Sequence, residues 1–132
     1  MVITPDGNRL IVAETFGHRL TVFDVLQDGS LSNRKIFAEN VEMYPDGICL
    51  DAEGAIWVAD PRNKEVVRIE EGGKIIEKIS LKDRGAYACA LGGSDGCTLF
   101  ICTNTGSGPD NAKARSGKIE FTTVSVPGVC SP

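Results

Sequence analysis

The chain has 132 residues, with 14 Lys and Arg against 18 Asp and Glu, which gives a net charge of −4. The pI is near 5.0 and the basic residues are scattered, which argues against nucleic acid as a partner. Charged residues make up 24% of the chain and hydrophobic residues 42%, a composition that argues against disorder. No apolar run approaches the ~20 residues of a membrane span, and Asp6 and Arg9 interrupt the apolar core that a signal peptide needs. We therefore expect a cytoplasmic protein without membrane contact.

Three segments of the chain resemble one another, and each combines a turn containing Gly with a short apolar strand. Their glycines, Gly7, Gly54 and Gly96, lie 47 and 42 residues apart. A repeat in the forties built from short strands is typical of the blades of a β-propeller. We therefore expect one partial propeller domain over residues 1–132. Its blade-like units are predicted at about 1–40, 41–82 and 83–132.

Each unit is predicted to begin with an inner strand, turn at its glycine, and continue through further antiparallel strands. In chain order the predicted strands are 1–4, 10–13, 19–25 and 34–38, then 48–50, 56–59, 65–70 and 74–81, and finally 87–91, 99–102 and 118–124. This pattern predicts an all-β fold of three four-stranded antiparallel blades, of which the last lacks its outer strand. Because known propellers have at least about four blades, the chain is expected to form part of a propeller.

The cysteines give no support to a zinc site. They stand at Cys49, Cys89, Cys97, Cys102 and Cys130. No pair has the Cys-x-x-Cys spacing, and the chain contains a single histidine. Four of the five lie in or beside apolar runs, where a free cysteine behaves as a small hydrophobic residue. We expect reduced cysteines that pack in the core.

The sequence from Tyr44 to Ala59, YPDGICLDAEGAIWVA, carries a family resemblance. This segment, together with 88–93, 98–100 and 117–128, resembles the senescence-marker-protein/gluconolactonase family, and 5–25 fits that family's preceding blade. The resemblance implies a six-bladed propeller of roughly twice this length. It also implies a divalent metal at one end of the central channel, calcium first and zinc as the alternative, and hydrolysis of small-molecule lactones. The chain would then be the C-terminal half.

Asp46 is the one residue of the implied metal site that has a counterpart in this sequence. The family pattern uses a Glu, an Asn and an Asp in a Pro-Asp-Gly turn, and the resemblance therefore assigns Asp46 as metal ligand and catalytic base. Carboxylates suit a hard cation and can also take a proton from water. From the residues alone, an Asp in such a triplet is an ordinary turn residue. That reading is preferred for Asp6, whose Pro-Asp-Gly turn is expected at the opposite end of the blades.

Three further residues are candidates for a substrate rim: His18, Arg62 and Asn104. His18 is either a general base or a turn histidine, because its side chain titrates near neutral pH. Asp60 and Arg62 are either contacts for an anionic substrate or a solvated pair. The segment 103–117 is either a mobile lid or a plain insertion. Trp57 is expected to pack between blades rather than to stack on a ligand.

The leading functional hypothesis is a metal-dependent lactone hydrolase of the gluconolactonase type, acting in carbohydrate metabolism and inactive as this chain alone. The alternative is a non-catalytic propeller module that binds a ligand or a protein, because propellers host many functions. A truncated product without function is the third hypothesis. Open strand edges and apolar blade faces also predict self-association.

Overall fold

The computed structural model describes residues 1–129, so Cys130 lies outside the described residues. The first sheet consists of β1 (Val2–Ile3), β2 (Arg9–Glu14), β3 (Arg19–Val25) and β4 (Leu31–Glu39). The second consists of β5 (Ile48–Leu50), β6 (Ile56–Asp60), β7 (Glu65–Ile69) and β8 (Ile75–Ser80). The third consists of β9 (Gly85–Gly92), β10 (Thr98–Asn104) and β11 (Lys118–Thr123). A short helix, α1 (Pro109–Ala114), and a 3₁₀ turn, Thr15–Gly17, complete the described elements.

Each sheet is an antiparallel meander in which the strands pair in chain order. The first turn of each sheet contains the repeated glycine: Gly7, Gly54 and Gly96 have φ angles of 73°, 83° and 74°. Glycine adopts this left-handed conformation at no steric cost, which explains the repeat in the sequence. The first strands of neighbouring sheets contact one another, β1 against β5 and β5 against β9. The prediction of consecutive propeller blades, the last of which has no outer strand within residues 1–129, is confirmed.

The core lies in two layers between the sheets. In the second sheet, alternate residues of a strand point to opposite neighbours, because side chains alternate across a strand. Ile56 and Val58 therefore pack against the first sheet, and Trp57 packs against Leu99 and Ile101 of the third. Trp57 is 1% exposed, which confirms its predicted role in packing between blades. Its indole Nε1 has no hydrogen-bond partner among residues 1–129.

The segment that follows β11 returns to the second sheet. Gly128 forms an isolated antiparallel bridge with Asp51. The Ala52 N–H donates to the Pro127 carbonyl at 2.8 Å, and the Gly128 N–H donates to the Gly96 carbonyl at 3.0 Å. The segment therefore connects the far turns of the second and third sheets.

The sequence did not predict two local features. Helix α1 occupies the middle of segment 103–117, where proline at its first turn and Asp110 suit a helix N-terminus. Strand β4 begins at Leu31 instead of residue 34, and Asn33 within it has a φ of 50°. Within residues 1–129, no helix has both the length and the apolar composition required to cross a bilayer.

Candidate functional site

Five connections lie at one end of the three sheets, which we call the channel end. They are 15–18, 40–47, 61–64, 81–84 and 105–117. Because antiparallel strands alternate in direction, β2, β6 and β10 all finish where β5 begins. His18, Asp46, Arg62 and Asn104 are therefore at the channel end. Asp6 lies in the turn between β1 and β2 at the opposite end, as predicted.

The backbone fixes Asp46 between the second and third sheets. The Asp46 N–H donates to the Ala59 carbonyl, and the Ala59 N–H donates to the Gly47 carbonyl, both at 2.9 Å. The Gly47 N–H donates to the Tyr87 carbonyl at 3.0 Å. A Cβ on Gly47 would lie 2.5 Å from the Cα of Ala88. Glycine is therefore required at this position, because it lets the inner strands of two sheets approach closely.

The carboxylate of Asp46 is exposed at the channel end and accepts no side-chain hydrogen bond from residues 1–129. Partial burial raises its pKa above the ordinary value of 3.8, because desolvation disfavours the charged form. A carboxylate that has open lone pairs and a raised pKa is better suited to accept a proton than one held by hydrogen bonds.

His18 is attached to the connection that carries Asp46. Its Nδ1 lies 2.8 Å from the Met43 carbonyl oxygen, and since a carbonyl only accepts, Nδ1–H is the donor. The neutral ring therefore carries its lone pair on Nε2. The ring also contacts Tyr44 edge-on, with centroids 4.6 Å apart. The Thr15 hydroxyl donates to the Pro45 carbonyl at 2.7 Å, so the 15–18 connection supports both sides of residues 43–45.

Arg62 approaches the same connection from the second sheet. Its guanidinium carbon lies 4.7 Å from the centroid of the Tyr44 ring, at cation–π distance. Tyr44 therefore contacts both Arg62, which lies over its ring, and the nearly perpendicular ring of His18. A cavity of about 590 Å³ opens beside Tyr44, Asp60 and Arg62. The structure thus brings His18 and Arg62 to the peptide segment that directly precedes Asp46.

Asp60 is a residue whose role the sequence did not reveal. It is 1% exposed, so its prediction as half of a solvated pair is wrong. Its carboxylate accepts the Tyr44 N–H at 2.8 Å, the Arg62 N–H at 3.0 Å, and both the N–H and the Nδ2 amide of Asn63 at 2.9 and 2.8 Å. Asp60 therefore positions Tyr44 and the 61–64 turn. The available signal was an Asp directly after a fully apolar strand and before a proline.

Asn104 is the last residue of β10 and belongs to the third sheet. Its Oδ1 accepts the Thr105 N–H at 2.8 Å and the hydroxyl of Ser116. The Asn104 side chain therefore joins the two ends of the 105–117 connection. A shallow cavity of about 360 Å³ lies beside Tyr87, Asn104 and Lys118.

The described residues do not by themselves fit a calcium or zinc site. In residues 1–129 no group of three or more His, Cys, Asp and Glu side chains is arranged to hold a metal ion. Asp46 offers one carboxylate, whereas calcium takes six to eight oxygen ligands. A cation bound at Asp46 would need ligands beyond those that this part of the chain supplies.

A family model for the SMP-30/Gluconolactonase/LRE-like region matches residues 1–105. Regucalcin from Oryctolagus cuniculus is 31% identical over 124 residues, which make up 88% of this chain and 42% of that protein. The chain therefore spans less than half the length of this relative.

Solved structures share the fold. Regucalcin from Agrobacterium tumefaciens, a calcium-binding protein, matches 98% of this chain and 46% of its own, with a TM-score of 0.79 and 23% sequence identity. A gluconolactonase from Xanthomonas campestris matches 75% of this chain and 32% of its own, with a TM-score of 0.61 and 29% identity. These similarities agree with the three propeller blades of the structure.

Proposed function

The chain belongs to the SMP-30/gluconolactonase/LRE-like family, and from this premise we propose that it is the C-terminal part of an enzyme that hydrolyses sugar lactones. The observation that carries the proposal is the free carboxylate of Asp46, at the open channel end and next to the segment held by His18 and Arg62. By contrast, the carboxylate of Asp60 at the same end already accepts four hydrogen bonds. The gluconolactonase from Xanthomonas campestris supports the class of substrate.

The chemistry needs a base that activates water beside a cyclic ester. Asp46 takes one proton from the water, and the resulting hydroxide forms a bond to the lactone carbonyl carbon. The ring C–O bond then breaks, and the departing ring oxygen receives the proton from Asp46, which gives the open hydroxy acid. General base catalysis of this kind contributes about 10²–10⁴-fold to a rate. The Arg62 guanidinium and the Nε2 lone pair of His18 offer polar contacts for a hydroxylated, acidic product.

The metal requirement is the part of the proposal that residues 1–129 do not meet alone. A divalent cation, calcium first and zinc as the alternative, would use Asp46 as one ligand. Residues 1–129 contain no group of three or more His, Cys, Asp and Glu side chains that could hold a metal ion, so further carboxylate ligands are proposed to come from outside the described residues. We therefore propose that the isolated chain binds such a cation weakly and has little activity.

The test is a chimera in which this chain follows the N-terminal part of rabbit regucalcin, assayed for gluconolactone hydrolysis with added calcium. We expect the chimera to be active, the isolated chain to be little faster than buffer, and Asp46→Asn to lower the chimera's rate by about 100-fold. Asp6→Asn is the matched control, with the same change in the same triplet at the opposite end, and should leave the rate nearly unchanged. Equal losses in both variants would contradict the role of Asp46, and full activity in both would contradict the proposed reaction.

A non-catalytic binding module is the second candidate, and one observation favours it. The structure shows a cavity and an Arg62–Tyr44 stack at the channel end but no grouped metal ligands in residues 1–129. This candidate predicts that the chimera binds a sugar acid, measured by calorimetry, without turning over the lactone. Turnover that depends on Asp46 excludes it.

The free face of the third sheet supports a proposal about assembly. Phe100 and Ile119 occupy the register positions that Trp57 and Val66 hold in the second sheet. Trp57 and Val66 are buried beneath the next sheet, whereas Phe100 and Ile119 are 39% and 71% exposed, and Phe121 beside them is 73% exposed. We propose that a second copy covers this face with the free face of its own first sheet, in the way that neighbouring sheets already pack.

Light scattering of the isolated chain at tens of micromolar tests the assembly. We expect dimers or larger species, and Phe121→Lys should shift them towards monomers because a charge would be buried in the contact. Leu26→Lys is the matched control, since Leu26 is also exposed, at 49%, but follows β3 away from this face. A stable monomer of the unchanged chain would contradict the proposal.

A cytoplasmic location is also proposed. Cys49, Cys89, Cys97 and Cys102 are free thiols among the described residues. Reduced cysteines are typical of the cytosol. Cell fractionation with antibodies to the chain would test the location.

A further inference from the structure

Two thiols from the inner strands of neighbouring sheets are in contact. Cys49 lies in β5 and Cys89 in β9, and their Sγ atoms are 3.7 Å apart. The approach of these strands follows from Gly47, whose missing Cβ leaves room for Ala88. Cys97, directly before β10, and Cys102, within it, are the other free thiols among residues 1–129.

The two sulfurs have different surroundings. The Cys89 thiol is within hydrogen-bond reach of two backbone carbonyls, Gly47 at 3.6 Å and Trp57 at 3.5 Å. Contact with Cys49 and burial raise the pKa of the Cys89 thiol well above its ordinary range. Cys49 instead lines a groove of about 500 Å³ beside β1, β5 and β9, and Cys89 is not among the residues that line it.

We propose that Cys49 and Cys89 form a reversible disulfide that links the second and third sheets when a low-molecular-weight disulfide of the glutathione type is present. The Cys49 thiolate attacks one sulfur of the small disulfide, forms a mixed disulfide and releases one small thiol. The sulfur of Cys89 then attacks Cys49 Sγ as its thiol proton is lost, and the second small thiol leaves after taking up a proton. The two protein thiols lose two protons and two electrons, which the small disulfide gains.

The geometry requires a modest movement. A disulfide has an S–S distance of about 2.05 Å, so the sulfurs must approach by less than the width of one atom. The two cysteines lie on the facing sides of β5 and β9, inner strands that are already joined by the hydrogen bond from the Gly47 N–H to the Tyr87 carbonyl. The bridge would close a loop of about 40 residues and should raise the midpoint of thermal unfolding by about 5 °C or more.

Trp57 provides an internal reporter of this bond. It is the sole tryptophan in the sequence. It is the direct cross-strand partner of Cys49, and its carbonyl faces the Cys89 thiol. Because a disulfide quenches the fluorescence of an adjacent indole, formation of the bridge should lower the fluorescence intensity of Trp57. Reduction with dithiothreitol should restore it.

The experiment incubates the folded chain with oxidised glutathione, blocks the remaining thiols, and maps the cross-linked peptides by mass spectrometry. We expect a Cys49–Cys89 peptide, a loss of two hydrogen masses, and the fluorescence change. Cys49→Ser and Cys89→Ser should abolish all three, whereas Cys97→Ser and Cys102→Ser should retain them.

Peptide mapping of the unchanged chain keeps the test independent of how well the variants fold. A bridge mapped to any other pair, a stable glutathione adduct on Cys49 without a bridge, or thiols that react only in urea would each overturn the proposal. The result does not depend on lactone hydrolysis.

Discussion

The same three residues, Pro-Asp-Gly, occur at opposite ends of the sheets with opposite chemistry. Asp6 accepts hydrogen bonds from the Thr4 hydroxyl at 2.5 Å, the Asn8 N–H at 3.1 Å and the Asn8 side-chain amide at 3.0 Å. These bonds, with that of Thr4 first, lower the pKa of Asp6. Asp46 accepts no side-chain hydrogen bond from residues 1–129, and desolvation raises its pKa.

The difference teaches how a structural carboxylate can be told from one available for chemistry. The carboxylate of Asp6 accepts hydrogen bonds within its own turn, and folding therefore favours its ionised form. No hydrogen bond from residues 1–129 stabilises the charged carboxylate of Asp46, so its ionisation does not contribute to the stability of the fold. Residues that violate the local rules of stability in this way are concentrated at functional sites.

The two glycines of these triplets should show the largest difference in stability. Gly47→Ala places a Cβ 2.5 Å from backbone and should reduce the free energy of unfolding by about 3 kcal/mol or more. Gly7→Ala meets no atom within 4 Å, and its cost comes only from the φ of 73°, about 1 kcal/mol. Urea denaturation of both variants measures the difference. Equal losses would show that the approach of β5 to β9 is not rigid.

The pH dependence of stability should have opposite signs at the two aspartates. Ionised Asp6 stabilises the fold above the ordinary pKa of 3.8, and this stabilisation is lost as the pH falls through its lowered folded pKa. Asp46 has a raised folded pKa, so its protonated form is favoured by folding, and that contribution is lost as the pH rises through the folded value.

Asp6→Asn should therefore be less stable than the unchanged chain at pH 7 and equal to it in strong acid. Asp46→Asn, which resembles the protonated acid, should be equally or more stable at pH 7. Urea titrations from pH 3 to pH 8 would measure both. Stability lost in Asp46→Asn at pH 7 would mean that the carboxylate has a structural partner after all.

Two threonines near the triplets should show the smallest effects. Thr15→Val removes the part-buried bond to the Pro45 carbonyl and should cost about 1 kcal/mol, because a carbonyl loses its partner. Thr4→Val removes the exposed bond to Asp6 and the part-buried bond that the Thr4 hydroxyl oxygen accepts from the Arg9 N–H at 3.1 Å, and it should cost less because water can replace the hydroxyl at this surface turn. Thermal unfolding would rank the two, and a larger loss at Thr4 would reverse our view of which turn is better supported.

The sequence was sufficient to predict the sheets because each blade carries its own local signals. Strands 19–25 and 48–50 were bounded correctly, since turn glycines and apolar alternation act within a few residues. The channel end was also predictable, because strand direction alone places His18, Arg62 and Asn104 there.

Contacts between distant residues could not be read in the same way. Asp60 looked like a rim residue until the structure showed Tyr44 and Asn63 bonded to it. The buried pair of Arg68 and Asp51, with Nε to Oδ2 at 2.6 Å, likewise depends on the register of a folded sheet. Polar residues next to a strand have no periodic signal that separates burial from exposure.

The return of the final segment to Asp51 has a consequence for the order of folding. The bridge to Gly128 joins residues separated by more than half of the chain, and loop closure of that length is costly and slow. This contact should therefore form late, after the individual sheets, and tie the second and third sheets into one cooperative unit. In native-state hydrogen exchange the Ala52 and Gly128 amides should then exchange together, while amides of β1 exchange earlier.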